Sequence, residues 1–267
     1  MQLIMNLKGL LIVLFTFGGL LAEAQQTISP VKMQWKVGDT TREALVYLPP
    51  DAKTKPSALI FDFHGHGGTM AFAYRKFSIQ KVWPEAILVC PQGLNTPGQL
   101  TDKEGEKPGW QKGKGDMGDR DLKFFDVMLA SLKKDYKVDD KRIYVTGHSN
   151  GGHFTYLLWA ERGDVFAAVA PCAAAAMGLV RSLKPKPCFH LMGEKDPLVK
   201  PEWQKITINA VLRLNSCADK GVPTGKYTTW YKSATGNPVV LYVHPGGHEY
   251  PVGASQAITD FFKQCSK

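Results

Sequence analysis

A serine between two glycines, in Gly147-His148-Ser149-Asn150-Gly151, is the stretch of this chain best suited to chemistry. Before it, Ile143, Tyr144 and Val145 are β-formers and read as a short buried strand. After Gly152, apolar residues from Phe154 to Ala160 recur at helical spacing. A sharp strand-to-helix turn must join the two, and glycines two positions either side of the serine let strand and helix pack that closely. The serine then projects its hydroxyl beyond the sheet, with a helix N-terminus behind it that favours developing negative charge. A Gly-x-Ser-x-Gly pattern also occurs by chance in loops. Here both flanks supply the required context.

A serine hydroxyl attacks only with help from a base, itself oriented by a third group. On such an elbow the acid and then the histidine follow the serine along the chain. Of the later histidines, His153 lies one turn into the elbow helix and His190 sits mid-strand, both structural positions. His244 ends a strand, whereas His248 follows Pro245-Gly246-Gly247 on a turn able to swing an imidazole over the serine. His248 is therefore the expected base. Asp196, in a turn before Pro197, is the expected acid; Asp164 and Asp219 look like helix ends. The oxyanion of an acyl-transfer intermediate needs two donors. Asn150 N–H supplies one, and His66 or Gly67, in the glycine-rich run His64-Gly65-His66-Gly67-Gly68, the other. His64 and His66 with Asp62 would be the rival, a metal site, but two histidines are a weak signal and no metal or cofactor is expected.

These residues must be positioned by strands that end beside one another. Val31 to Val37 and Thr41 to Leu48 read as a hairpin about Gly38-Asp39, and Ala58 to Phe63 and Ala86 to Cys90 as continuous strands. A helix is expected from Thr69 to Gln80. Pro91 to Met117 is irregular, and a loop this long inside a domain is usually functional. Trp110 within it is either a substrate-contacting aromatic or a pin holding the loop to the body. A helix over Arg120 to Tyr136 has Asp119 and Asp121 at its N-terminal end, where the dipole favours them. Strands at Ala167 to Ala170, Phe189 to Gly193 and Val239 to His244, a hairpin-like Tyr227 to Tyr231, and helices at Pro201 to Ser216 and Gly253 to Phe262 complete the chain. Alternating strands and helices predict a mainly parallel sheet covered on both faces, with ligands bound at the C-terminal strand ends. His64-Gly65, Ser149, Asp196 and His248 all fall just beyond such ends.

Met1 to Ala24 carries Lys8, an apolar run and Ala22-Glu23-Ala24, the pattern of an export signal too short to span a membrane comfortably. The expected product is residues 25–267, one soluble, exported domain without a membrane anchor. Net charge is +9, and losing Lys8 and Glu23 leaves it unchanged. The lysines are scattered, so nucleic acid is not expected as a partner. Five cysteines leave at least one unpaired. Cys90 ends an apolar strand and reads as a buried thiol. Cys172 and Cys188 fall at opposite edges of the sheet, roughly 15 Å apart at about 3.3 Å per residue, too far to bridge. Cys217 and Cys265 each follow a helix that finishes at one edge, so a bridge between them is expected, with Cys188 as the alternative partner.

Several runs together resemble one group of enzymes. They are His64-Gly65-x-Gly67-Gly68, Cys90-Pro91-Gln92-Gly93, Trp110, Tyr136-x-Val138-Asp139-x-x-Arg142 through Gly152, Gly193-x-x-Asp196-Pro197 and Gly246-Gly247-His248-x-x-Pro251. The group is the polyhydroxybutyrate depolymerase and feruloyl esterase-like branch of the secreted α/β-hydrolases. The likeness spans about residues 40 to 262. It implies an α/β-hydrolase fold, Ser149, Asp196 and His248 as the triad, and His66 with Asn150 at the oxyanion positions. Position 66 is often cysteine in that branch and position 150 often alanine, departures that bear on substrate rather than fold. The expected activity is a secreted serine carboxylesterase acting on feruloyl or acetyl esters of plant polysaccharide. The alternatives are polyhydroxyalkanoate depolymerase, a serine peptidase of related fold, and an inactive binding protein of the same fold.

Overall fold

The computed structural model describes residues 29–98 and 100–267; the expected export signal lies outside them. The hairpin forms from β1 (Val31–Val37) and β2 (Thr40–Tyr47), followed by β3 (Ser57–Phe63), α1 (Met70–Phe77), α2 (Ile79–Val82) and β4 (Ile87–Pro91). Within the long loop, β5 (Leu94–Asn95) pairs antiparallel with β6 (Pro108–Gly109). Then come α3 (Arg120–Asp135), β7 (Val138–His148), α4 (Asn150–Arg162), β8 (Ala168–Cys172), β9 (Cys188–Gly193) and α5 (Pro201–Leu214). The chain closes with β10 (Val222–Pro223), β11 (Thr228–Tyr231), β12 (Val239–His244) and α6 (Ala254–Lys263).

Ten strands make one sheet in the order β1-β2-β4-β3-β7-β8-β9-β12-β11-β10. Its middle, from β4 to β12, is parallel; β1, β2, β10 and β11 close the two ends antiparallel. Strand alternation sorts side chains to two faces. Leu59, Phe61 and Phe63 of β3 join α3, α4 and α5 on one face, while Ala58 and Ile60 join α1, α2 and α6 on the other. The elbow helix α4 is buried almost all round, from Gly151 to Trp159, which explains why its sequence is apolar on every side.

The helix expected over residues 69–80 is broken. Thr69 caps α1 by accepting from Phe72 N–H, and Ser78 then adopts a left-handed conformation, φ 51° and ψ 32°, before α2 begins. In a continuous helix Phe77 and Ile79 would point about 200° apart. The kink lets both reach the same core, where each is buried.

The expected Cys217–Cys265 bridge does not form; all five cysteines are free thiols. Both do follow helices, but α5 and α6 lie on opposite faces. Cys217 packs against the α3–α4–α5 core, Cys265 belongs to the α1–α2–α6 core, and the sheet stands between them.

Asp62 of β3 is buried with neither carboxylate oxygen hydrogen-bonded. Burial raises its pKa well above the usual carboxylate range, so the folded protein holds it protonated. The unfolded chain releases that proton above about pH 4. Stability is therefore lost as pH rises through this window, up to the folded pKa. Asp62→Asn is expected to raise Tm at pH 8 by about 2–4 °C, with a smaller gain at pH 4.5. An effect of equal size at both pH values would show that Asp62 is not held neutral.

Candidate active site

Gly147 and Gly151 have the role expected at the elbow. A Cβ on Gly151 would stand 2.1 Å from Phe63 O, and one on Gly147 2.5 Å from Gly151 O. Ser149 between them has φ 58° and ψ −118°, a strained backbone for a side-chain-bearing residue. The strain is held by Ser149 N–H donating to Cys172 O at 2.9 Å, and by His153 N–H donating to Ser149 O at 2.9 Å.

Parallel pairing brings the ends of β7, β8, β9 and β12 side by side, and with them residues far apart in sequence. His248 Nε2 lies 2.7 Å from Ser149 Oγ, and His248 Nδ1 lies 2.7 Å from Asp196 Oδ2. A carboxylate only accepts, so Nδ1 carries the proton and Nε2 is left to accept from the serine hydroxyl. Asp196 is fully buried at its side chain and His248 15 % exposed. Burial pushes the Asp196 pKa up, but hydrogen bonds from His248, Leu198 and Val199 outweigh it and the net shift is downward. Asp196 thus stays ionised where His248 needs it. Oδ1 accepts from Leu198 and Val199 N–H, each at 2.9 Å.

Behind the carboxylate, Gln204 Nε2 donates to Asp196 Oδ2 at 3.3 Å while Gln204 Oε1 accepts from His190 Nε2 at 3.1 Å. That fixes the His190 tautomer, so its Nδ1 accepts from Tyr156 O–H at 2.8 Å. Gln204 carries no motif and was missed by sequence reasoning; nothing within a few residues of it points to Asp196.

The loop around 91–117 is tied down rather than free. Trp110 is 0 % exposed, donates from Nε1 to His64 O at 2.8 Å and packs on Phe63 and Phe154. It pins the loop and has no surface to offer a substrate, which corrects the substrate-contact reading. Asn150 Oδ1 accepts from Trp110 N–H at 2.7 Å and Asn150 Nδ2 donates to Trp110 O at 3.2 Å, coupling the loop to the elbow. Asp121, expected only to meet the dipole, is buried in an ion pair with Arg42 at 2.9 Å and also accepts from Gln111 N–H.

His64 and His66 are engaged separately. His64 Nε2 accepts from Gly93 N–H at 2.9 Å, which leaves Nδ1 to donate to Gly65 O at 2.8 Å. His66 Nε2 donates to Asp102 Oδ2 at 2.8 Å. Among the described residues no group of three or more His, Cys, Asp or Glu is arranged to hold a metal.

A cleft of about 620 Å³ opens over Ser149 and His248. His66 and Asn150 line it, as do His148 and His153, the last held between Ala175 O and Lys112 O. As the first residue of α4, Asn150 has no acceptor for its N–H inside the helix. Burial, the largest cause, lowers His64 to about 4, His148 to about 3 and His190 to about 4. These three imidazoles are neutral well below pH 6, so none of them adds a titration near neutrality. Their burial also has a sign for stability: each is protonated on unfolding below about pH 6.5, so stability falls as pH drops from there towards the folded values.

The model of the prolyl oligopeptidase family matches residues 103–186, which include the elbow. The bifunctional acetylxylan esterase/xylanase of Neocallimastix patriciarum is 34% identical over 83 residues, 31% of this chain and 12% of that protein. Feruloyl esterase C of Emericella nidulans is 27% identical over 220 residues, 77% of this chain and 75% of its own length. Among solved structures, a thermostable esterase aligns with a TM-score of 0.63 at 19% identity, covering 90% of this chain and 64% of that one. The sheet order, the strained elbow and the likeness to solved structures give the chain an α/β-hydrolase fold, and its sequence is similar to that of the feruloyl esterases.

Proposed function

We propose that this protein is an exported serine carboxylesterase that cleaves feruloyl or acetyl esters of plant polysaccharide, with residues 1–24 as its export signal. The observation that carries the reading is the relay from Ser149 through His248 to Asp196, with both links at 2.7 Å, at the base of an open cleft. Ser149 Oγ attacks the ester carbonyl as His248 Nε2 takes its proton, and Asp196 steadies the imidazolium. The oxyanion is met by the N–H groups of Asn150 and His66. The intermediate collapses, His248 returns the proton to the departing alcohol, and water repeats the cycle on the acyl-enzyme. A wall of Ala174, Ala175, Met177, Leu198, Val199 and Trp203 offers more apolar surface than an acetyl group fills and suits a hydroxycinnamoyl acyl group.

A fluorophosphonate probe should label Ser149, and among feruloyl, acetyl, short p-nitrophenyl and polyhydroxyalkanoate esters the feruloyl ester should have the highest kcat/KM. Failure to label Ser149 would favour an inactive binding protein. The match to the prolyl oligopeptidase family gives amide cleavage a place as second reading; a peptidyl p-nitroanilide cut faster than any ester would select it.

A further inference from the structure

The two walls of the cleft differ in charge. The wall beyond β8 and β9 carries Ala174, Ala175, Met177, Leu198, Val199 and Trp203, none of them charged. The opposite wall, beyond β3, carries Thr69, Phe72 and Arg75 of the α1 region. Among the described residues lining the cleft, Arg75 is the only Lys, Arg, Asp or Glu. It is exposed, and it enters no ion pair among the described residues. Helix α1, with sequence MAFAYRKF, holds no carboxylate, and Lys76 follows Arg75 directly. Lys107 lies on the same side, its Cδ 3.5 Å from where a Cβ on the cleft residue Gly67 would stand. A cation in the last turn of a helix suits the dipole, but Lys76 already meets that need. The dipole gives no reason for a second cation lining the cleft.

We propose that Arg75 receives a carboxylate on the alcohol portion of the substrate, so that the preferred esters are carried by an acidic, uronate-bearing polysaccharide. This rests on the esterase reading above. With the acyl group against the apolar wall, the alcohol half extends along α1 towards solvent, past Arg75. A guanidinium offers a carboxylate two parallel N–H donors, a geometry no lysine reproduces. The net charge of +9 adds long-range attraction for a polyanion.

The test reads binding first, without turnover. Full-length protein carrying Ser149→Ala is titrated with a xylo-oligosaccharide bearing one glucuronate branch and with the same oligosaccharide unbranched. The branched form should bind about tenfold tighter at low salt, the scale of one charge-assisted hydrogen bond pair. Adding Arg75→Gln should bring the ratio close to one, Arg75→Lys should restore part of it, and roughly 0.5 M salt should shrink it. With Ser149 intact, the kcat/KM ratio for acetylated forms of the two oligosaccharides should follow the same pattern. Equal affinity for the two forms, or a preference that survives Arg75→Gln, overturns the proposal. A binding preference without turnover of these esters or of the feruloyl ester would leave uronate recognition standing and remove the esterase reading; turnover without preference would do the reverse.

Discussion

Ser149→Ala is expected to lower kcat/KM on every ester the protein cleaves by about 10⁴- to 10⁶-fold, because nucleophile, base and acid act as a unit. His248→Ala should cost a similar amount, and the double variant little more, since the second loss removes a partner that no longer has work to do. Asp196→Asn should be milder, about 10²- to 10⁴-fold, because the imidazole stays in place but its Nδ1–H loses a charged acceptor. Thermal unfolding of Ser149→Ala should match the native protein, as the side chain faces the cleft. Retention of as much as a tenth of native turnover by Ser149→Ala would place the nucleophile elsewhere.

The second large effect is expected at a residue that touches no substrate. Gly193 ends β9, and a Cβ there would stand 2.0 Å from Gly247 O and 2.7 Å from Gly246 O, both backbone atoms. The 245–248 turn is tied to this strand end by Glu194 N–H donating to His244 O and Lys195 N–H donating to Gly246 O, each at 2.9 Å. Gly193→Ala must push the two apart by an ångström or more, and His248 and Asp196 sit on the two sides of that contact. Misplacement on that scale costs about a hundredfold in rate, so kcat/KM should fall by at least that much while fluorophosphonate still reaches Ser149 slowly. Gly178→Ala, where a Cβ meets nothing within 4 Å, is the control and should leave kcat/KM within about twofold of native. Native-like activity in Gly193→Ala would mean that the turn can shift without carrying His248 away.

Much of the architecture could be read from the chain because its causes are local. Largely apolar runs at 58–63 and 239–244 form strands, and the glycines flanking Ser149 answer a steric demand only a few residues wide. The order of serine, acid and histidine, and their positions after strand ends, follow from a parallel sheet, whose strands finish at one edge. That Ser149, Asp196 and His248 would meet could be expected for that reason, although the pairs in contact lie 99 and 52 residues apart.

Other features had no local signature. Whether a loop tryptophan meets substrate or core depends on what stands opposite, and Phe63, Phe154 and the His64 carbonyl are contributed by two other elements. Asp121 looks like a dipole residue until Arg42, 79 positions away, is placed beside it. Ser78 breaks a good helical pattern because Phe77 and Ile79 must share one core. The cysteines show the limit most plainly. Sequence tells at which edge of the sheet a crossover helix ends, since parallel strands demand it. It does not tell on which face the helix packs. That is decided by the handedness of each crossover and by the direction in which strands are added to the sheet. Cys217 and Cys265 therefore end on opposite sides of it, and only the assembled sheet could separate them.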